Sequence, residues 1–219
     1  STGDRVPPTS RSLDEAPWRT AVGGLWDEIG RLQYELLLGH GLRPRHRLLD
    51  VGCGCLRGGV HFVRHLEDGH YYGIDSDSDL LDKGREIELP RAGLGTRRVH
   101  LACRDDFDAS DFEVGFDFAL AQSLFTHLPG ESIALCLARV GAVLADGGRF
   151  FATFFEAPAG KASLAHPLGG VTSYRESDPY HQTRADFEAW SSAAGLEVTH
   201  HGDFGHPRDQ RLLEFRPIR

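Results

Sequence analysis

Long apolar runs and concentrated basic charge are both missing from this chain of 219 residues. No apolar segment reaches the roughly 18–20 residues that a helix needs to cross a bilayer, and the first residues carry no apolar signal core. Arginine and lysine number 24 against 32 acidic residues, a net charge of −8, and no basic cluster exceeds three residues. Because binding along a nucleic acid needs dense positive charge, we expect neither a nucleic acid nor a membrane as partner.

Cysteine is also scarce, with four residues at positions 53, 55, 103 and 136. Their spacing does not match the disulfide framework of a small secreted fold, so we expect reduced thiols and a cytoplasmic protein. The chain is long enough for one α/β domain with a full core and too short for two ordinary domains. We therefore treat residues 1–219 as a single domain, either monomeric or homodimeric.

Short apolar runs alternate with helical patterns through most of the chain. The runs fall at 47–51, 70–75, 97–103, 116–122 and 148–155, and the helical patterns at 57–67, 78–89 and 130–144. This alternation predicts βαβ units and a parallel sheet with right-handed crossovers. Two later runs, 196–200 and 211–215, are joined by a short loop and predict an antiparallel pair at the sheet edge.

Three segments lie outside this alternation. Residues 1–17 are rich in proline, serine, threonine and charge, and predict a flexible arm. Residues 18–40 contain apolar side chains at helical spacing and predict an N-terminal helical cap. Residues 157–182 contain three prolines and a Gly-Gly pair, and long segments of this kind are often functional lids. We expect this last segment to cover the substrate side of the site.

A glycine-dense turn follows the first apolar run. Gly52 and Gly54 come directly after Asp50 and Val51, and Asp75 ends the second run twenty-one residues after Gly54. Glycine lets a ligand approach the backbone closely, and an acidic residue about 20 residues further on is placed to meet ribose hydroxyls. The spacing predicts a nucleotide or nucleoside site.

The same residues resemble the class I S-adenosylmethionine-dependent methyltransferases over about residues 45–156. The matching stretches are Leu49-Asp50-Val51-Gly52-Cys53-Gly54, Tyr72-Gly73-Ile74-Asp75, Phe116 to Ser123, and Ala145-Asp146-Gly147-Gly148. The resemblance implies a Rossmann-like α/β fold whose mostly parallel, seven-stranded sheet has an antiparallel last strand between its neighbours and helices on both faces. It also implies S-adenosylmethionine as cofactor and S-adenosylhomocysteine as product.

Within that resemblance, Asp75 would accept hydrogen bonds from the two ribose hydroxyls. Either Asp105 or Asp106 would meet the adenine edge, with Phe107 against the ring. Asp50 would support the turn or the cofactor amine, or simply cap backbone amides. Arg57 would pair with the cofactor carboxylate or with Asp50, or stand solvated at the helix start. The full predicted cofactor set is Asp50, Gly52, Cys53, Gly54, Arg57, Asp75, Ser76, Asp105, Asp106, Phe107 and Gln122.

The catalytic candidates are His127 and Glu156, which follow the fourth and fifth predicted strands. Open α/β sheets place their ligands at this edge, and an imidazole can abstract a proton at neutral pH. The alternatives are a histidine that packs the next helix and a solvated loop carboxylate. The predicted substrate-binding residues are Trp26, Tyr174, Tyr180 and His181. His61 and His65 have metal-ligand spacing but no visible third ligand, so no metal is expected.

The sequence thus predicts methyl transfer from S-adenosylmethionine to an oxygen or nitrogen of a small acceptor, such as a natural product, a sugar or another metabolite. One alternative is an NAD(P)-dependent oxidoreductase on a similar sheet. The long gap from Gly54 to Gly58 and the absence of a Tyr-x-x-x-Lys proton-donor pair argue against it. The other alternative is a non-catalytic module that binds S-adenosylmethionine and acts through a partner protein.

Overall fold

A central sheet organises the computed structural model, which describes residues 16–218. The predicted flexible arm lies, up to residue 15, outside the described residues. In chain order the strands of this sheet are β1 (Leu48–Val51), β2 (Tyr71–Asp75), β3 (His100–Cys103), β4 (Phe116–Ala121), β5 (Leu144–Glu156), β8 (His181–Gln182), β9 (Leu196–Asp203) and β10 (Arg211–Pro217). A separate two-stranded hairpin consists of β6 (Ser163–Ala165) and β7 (Thr172–Tyr174).

The main sheet follows the order β3-β2-β1-β4-β5-β10-β9. Strands β1 to β5 pair in parallel, and β10 runs antiparallel between β5 and β9. The predicted parallel sheet and the inserted antiparallel last strand are both confirmed. The predicted count of seven strands is wrong, because β8 makes the sheet eight-stranded. Strand β5 continues past the end of β10, and its Phe155 and Glu156 pair with the two residues of β8.

Helices cover both faces of the sheet. They are α1 (Pro17–Ala21), α2 (Trp26–Gly39), α3 (Gly59–His65), α4 (Ser78–Lys83), α5 (Leu89–Arg91), α6 (Gly130–Val143) and α7 (Arg184–Ala193), with a π-helical turn, Gly84–Glu88, between α4 and α5. The β3–β4 connection contains a 3₁₀ turn, Ser110–Phe112. Helix α7 begins at a capping box in which Thr183 and Asp186 bond each other's backbone amides. Among the described residues, no helix is both long and apolar enough to cross a membrane.

Two apolar cores lie on opposite sides of the sheet. Helices α2 and α3 contribute Leu37, Phe62 and Val63 to one core, where they pack with Leu48 and Phe151. Helices α6 and α7 contribute to the other core through the buried side chains Ile133, Cys136, Leu137, Val140 and Phe187. The carboxyl ends of β1, β2 and β4 stay uncovered by either core, and the loops that follow them meet at one edge.

The predicted lid, residues 157–182, is more ordered than its proline and glycine content predicts. It folds into the β6–β7 hairpin and then returns to the main sheet as β8. Ser173 on β7 is fully buried, and its hydroxyl lies 2.7 Å from His166 Nε2 and 3.0 Å from His181 Nδ1. This buried chain of hydrogen bonds ties the hairpin to β8, so the lid has a defined shape.

Candidate active site

The glycine turn after β1 lies against the end of β2. The amides of Gly52 and Cys53 both donate to the carbonyl of Ile74, at 2.8 and 3.1 Å. Gly52 and Gly54 have positive φ angles of 72° and 52°, which favour glycine. A Cβ on Gly54 would lie 2.6 Å from Val22 Cγ1. The turn therefore brings bare backbone to the sheet edge, where a ligand can approach it.

A cavity of about 430 Å³ opens at this edge. Its size falls within the ~300–1,000 Å³ of ordinary small-molecule sites. Its lining comes chiefly from the turns before α2 and after β1, the ends of β2 and β4, the loop after β4, the lid and the β9–β10 loop. The lining includes Asp50, Gly52, Cys53, Gly54, Arg57, Asp75, Gln122 and His127 from the predicted set, together with Val22, Gly23, Ser123, Thr126, Val171, Pro179, Arg208 and Gln210.

Asp75 is fixed at the end of β2 by backbone amides. Its Oδ2 accepts from Gly54 N at 2.8 Å, and its Oδ1 accepts from Asp77 N at 2.9 Å. Burial raises the pKa of this carboxyl, against the opposing effect of these hydrogen bonds. A carboxylate oxygen has two lone pairs, so each oxygen can accept one more bond from a ligand hydroxyl. The geometry thus offers a positioned double acceptor.

Asp50 lies deeper, with only 3% of its surface exposed. Tyr71 Oη donates to its Oδ2 at 2.7 Å. Burial raises the pKa of Asp50 to about 7, although the Tyr71 hydrogen bond acts in the opposite direction. The hydrogen-bond donor that the structure gives Asp50 is thus a tyrosine side chain on β2, which the sequence did not single out.

Two arginines lie at the far end of the cavity. Arg57 Nη1 donates to the carbonyl of Gly24 at 2.7 Å, and Arg208 Nη2 donates to that of Gly23 at 2.6 Å. Burial, and then the charge of Arg208, lower the pKa of Arg57 to about 10. The buried Nε of Arg57 has no hydrogen-bond partner among the described residues. Arg57 is therefore not a solvated residue at the helix start.

A smaller cavity of about 150 Å³ adjoins the first across Gly52 and Asp75. Ser76, Asp105 and Phe107 line it. Asp106 is not among the lining residues, and its Oδ1 accepts from Asp108 N at 3.1 Å within its own loop. Of the two predicted alternatives at this position, the structure brings Asp105 to the cavity.

Polar side chains from three elements join at the floor of the main cavity. Thr153 Oγ1 and Ser123 Oγ donate to Gln210 Oε1 at 2.7 and 3.1 Å. Gln122 Nε2 donates to Ser123 Oγ at 3.0 Å, whereas Gln122 Oε1 is buried without a partner in the described chain. A buried acceptor left unpaired costs about 1–3 kcal/mol, which a ligand donor would recover. Only Gln122 of this network was predicted from the sequence.

His127 lies at the mouth of the cavity, in the loop between β4 and α6. Its Nδ1 is 2.8 Å from Asp178 Oδ1, a lid residue that the sequence did not single out. The second catalytic candidate, Glu156, is not among the residues that line the cavity. Its carboxylate is instead bonded to Arg184, whose Nε lies 2.5 Å from Oε1. The structure therefore brings one of the two candidates to the site.

The four predicted substrate-binding residues are not in the lining of the main cavity. Trp26 is buried, and the Arg19 guanidinium lies 4.1 Å from its ring centroid. Tyr174 and His181 line a separate cavity of about 630 Å³ formed by the lid and the start of α7. The Tyr180 amide donates to the Thr126 carbonyl at 2.7 Å. Val171 and Pro179 are the lid residues that reach the main cavity.

One group of possible metal ligands lies elsewhere, at the opposite edge of the sheet. Ligand atoms of His40, His201 and Glu214 fall within 4.8 Å of one another. Arg149 Nε donates to Glu214 at 2.6 Å and so neutralises its charge. Burial would raise the pKa of Glu214, but hydrogen bonds from Arg149 and its neighbours lower it to about 2. The cluster is an ion-pair network, and the absence of a metal stays a prediction.

Comparison with known protein families gives a match for the part of the chain that contains the glycine turn. Residues 49–150 match a family described as methyltransferase domain. Over those residues the chain matches this family, and its fold is that of the class I methyltransferases. Of the two enzyme classes that the sequence left open, this match supports the methyltransferase over the oxidoreductase.

Solved structures, two of them described as methyltransferases, share the fold over nearly the whole chain. The CcbJ methyltransferase of Streptomyces caelestis superposes with a TM-score of 0.67 at 18% identity, covering 98% of this chain and 100% of that one. Magnesium protoporphyrin IX methyltransferase of Synechocystis PCC 6803, crystallised with S-adenosylmethionine, gives 0.65 at 16% identity and covers 95% and 92%. DesVI of Streptomyces venezuelae gives 0.64 at 19%, with 97% and 100% covered.

Proposed function

We propose that this methyltransferase transfers the methyl group of S-adenosylmethionine to a hydroxyl oxygen of a small acceptor held beneath the lid. The observation that carries the oxygen assignment is the His127–Asp178 pair at the cavity mouth. A hydroxyl is a weak nucleophile until a base removes its proton, whereas an unprotonated amine needs less help. A carboxylate-oriented histidine at the cavity fits the first kind of acceptor.

The residues present fit the cofactor. Asp75 would offer two oxygens to the ribose hydroxyls, and Asp105 and Phe107, which line the adjoining cavity, would meet the adenine edge and ring. The buried Gln122 Oε1 and Asp50 would accept from the cofactor ammonium, and the unpaired Nε of Arg57 would be available to its carboxylate. The cofactor, when bound, supplies an electrophilic methyl group on a sulfonium.

His127 is assigned the base role through its hydrogen bond. Asp178 accepts from Nδ1–H, so this tautomer leaves Nε2 free to take the proton of the acceptor hydroxyl. The deprotonated acceptor oxygen would then receive the methyl group, and the cofactor would leave as S-adenosylhomocysteine. The proton ends on His127 Nε2. Asp178 keeps the ring oriented and stabilises the imidazolium.

A panel of small hydroxyl and amine acceptors tests this assignment, with S-adenosylhomocysteine formation as the readout. We expect His127→Ala to lower kcat for hydroxyl acceptors by about 100-fold and to leave S-adenosylhomocysteine affinity unchanged. Glu156→Gln is the matched control, because Glu156 is bonded to Arg184 and does not line the cavity. Undiminished hydroxyl methylation by His127→Ala, or turnover of amines alone, would overturn the proposal.

A further inference from the structure

Two guanidinium groups meet at one point of the cavity wall. A Cβ placed on Gly23 would lie 3.0 Å from Arg208 Nη1 and 3.9 Å from Arg57 Nη1. Across residues 16–218, neither guanidinium has a carboxylate oxygen within 4.0 Å, so both lack an anionic partner. Like charges this close repel each other, and an anion bound beside each would relieve the repulsion.

The cofactor alone does not supply two anions. If the proposed function holds, the bound cofactor carries one carboxylate against an ammonium and a sulfonium, so it adds net positive charge to the cavity. Asp75 and Asp50 are the carboxylates that line the cavity, and they balance the two arginines when both are ionised, so the charge of the cofactor is left over. Asp178 does not line the cavity, and its side chain is 57% exposed, so water screens its charge. A positive charge remains uncompensated, which favours an acceptor with an acidic group.

The positions of the two arginines indicate that Arg57 contacts the cofactor and Arg208 the acceptor. Arg57 follows the glycine turn, on the side of the cavity that the cofactor tail would occupy. Arg208 lies in the β9–β10 loop, two residues before Gln210 of the polar floor. Its side chain packs against the lid, because a Cβ on Gly169 would lie 2.7 Å from Arg208 Cγ. Arg208 therefore belongs to the wall that closes over the acceptor.

We propose that the acceptor carries a carboxylate, which Arg208 binds beneath the lid while Arg57 holds the cofactor. This deepens the proposed function and rests on it. A guanidinium binds a carboxylate through two parallel N–H···O bonds, which would orient the acceptor as well as retain it. One Arg208 nitrogen already donates to the Gly23 carbonyl, so the site also links acceptor binding to the turn before α2.

The test measures binding of matched acid and amide probes to the enzyme saturated with S-adenosylhomocysteine. The probes are benzoate, salicylate and glycolate against their neutral amides, measured by calorimetry or ligand-observed NMR. We expect the acids to bind at least about tenfold more tightly than the amides. In Arg208→Gln that preference disappears, and in Arg208→Lys it is partly kept. Arg184→Gln, which alters an exposed arginine outside the cavity, is the matched control.

Three results separate the proposal from the function on which it rests. Equal binding of acids and amides, or no binding of either across the panel, overturns the proposal. A tenfold loss of S-adenosylhomocysteine affinity in Arg208→Gln also overturns it, because Arg208 would then serve the cofactor. Failure of the wild type to bind S-adenosylhomocysteine refutes the proposed function instead. Thermal unfolding of each variant shows that the fold is retained.

Discussion

Cofactor affinity is expected to rise with pH across neutrality, because Asp50 titrates there. Its carboxyl is 3% exposed, and burial raises its pKa to about 7. In the free protein this burial opposes ionisation. A bound ammonium beside Asp50 favours the ionised form, so cofactor binding would release the proton that Asp50 holds at low pH.

The size of the effect follows from the pKa. If the bound complex keeps Asp50 ionised down to pH 6, the apparent Kd for S-adenosylhomocysteine is about tenfold weaker at pH 6 than at pH 8. At pH 7 the binding of one ligand releases about half a proton. Calorimetric titrations at pH 6, 7 and 8, in buffers of different ionisation enthalpy, measure both quantities.

Asp50→Asn is the decisive variant, because it keeps an oxygen for the Tyr71 hydroxyl and removes the titrating group. It should bind S-adenosylhomocysteine with a nearly flat pH dependence between pH 6 and 8. If the affinity of the variant changes with pH as much as that of the wild type, another group is responsible. If the affinity of the wild type does not change with pH, the raised pKa of Asp50 or its contact with the ammonium is refuted.

Three further predictions concern other parts of the molecule. Asp105→Ala should weaken S-adenosylhomocysteine binding by about tenfold, whereas Asp106→Ala should leave it unchanged in the same titration, since only Asp105 lines the smaller cavity. Burial, with the charges of nearby arginines, lowers the pKa of His206 to about 4. The free energy of unfolding therefore decreases by up to about 3 kcal/mol as the pH falls from 6.5 to 4. His206→Gln should flatten that loss in urea titrations, and an unchanged pH profile would contradict the assignment. Glu88→Ala removes two hydrogen bonds from the Arg19 guanidinium, of 2.9 and 2.6 Å, and one from Trp18 Nε1, of 2.7 Å. It should lower the free energy of unfolding by about 1.5–3 kcal/mol; a loss below 1 kcal/mol would show that these bonds contribute little.

The sheet could be predicted because its signal is local. Each strand from β1 to β5 is a short apolar run, and the alternation with helices fixes parallel pairing. Strand β8 has no such signal. Its two residues form a strand only because β5 extends past β10 and the lid returns beside it. The β6–β7 hairpin pairs residues that are close in sequence, but each of its strands has only three residues, too few for a clear apolar alternation, so the sequence did not predict it.

The candidate site divides in a similar way. Asp50, Asp75 and the glycine turn stand at fixed places after β1 and β2, so spacing alone points to them. Arg208 and Gln210 lie more than 150 residues further along the chain than the glycine turn, and only the insertion of β10 beside β5 brings them to the cavity. Tyr174 and His181 show the opposite case. Both belong to the lid, and the sequence therefore predicted them in the substrate site, but they line a different cavity.

The most direct test of the central claim is calorimetric titration of S-adenosylhomocysteine into the wild type and Asp75→Ala. Asp75 accepts from the amides of Gly54 and Asp77 and keeps one acceptor site on each oxygen for the ribose. Losing two hydrogen bonds to a charged acceptor should weaken binding by about 100-fold or more. Asp77→Asn, which keeps the helix cap, is the matched control and should bind like the wild type. Absence of binding by the wild type, or an unchanged affinity in Asp75→Ala, would contradict the account.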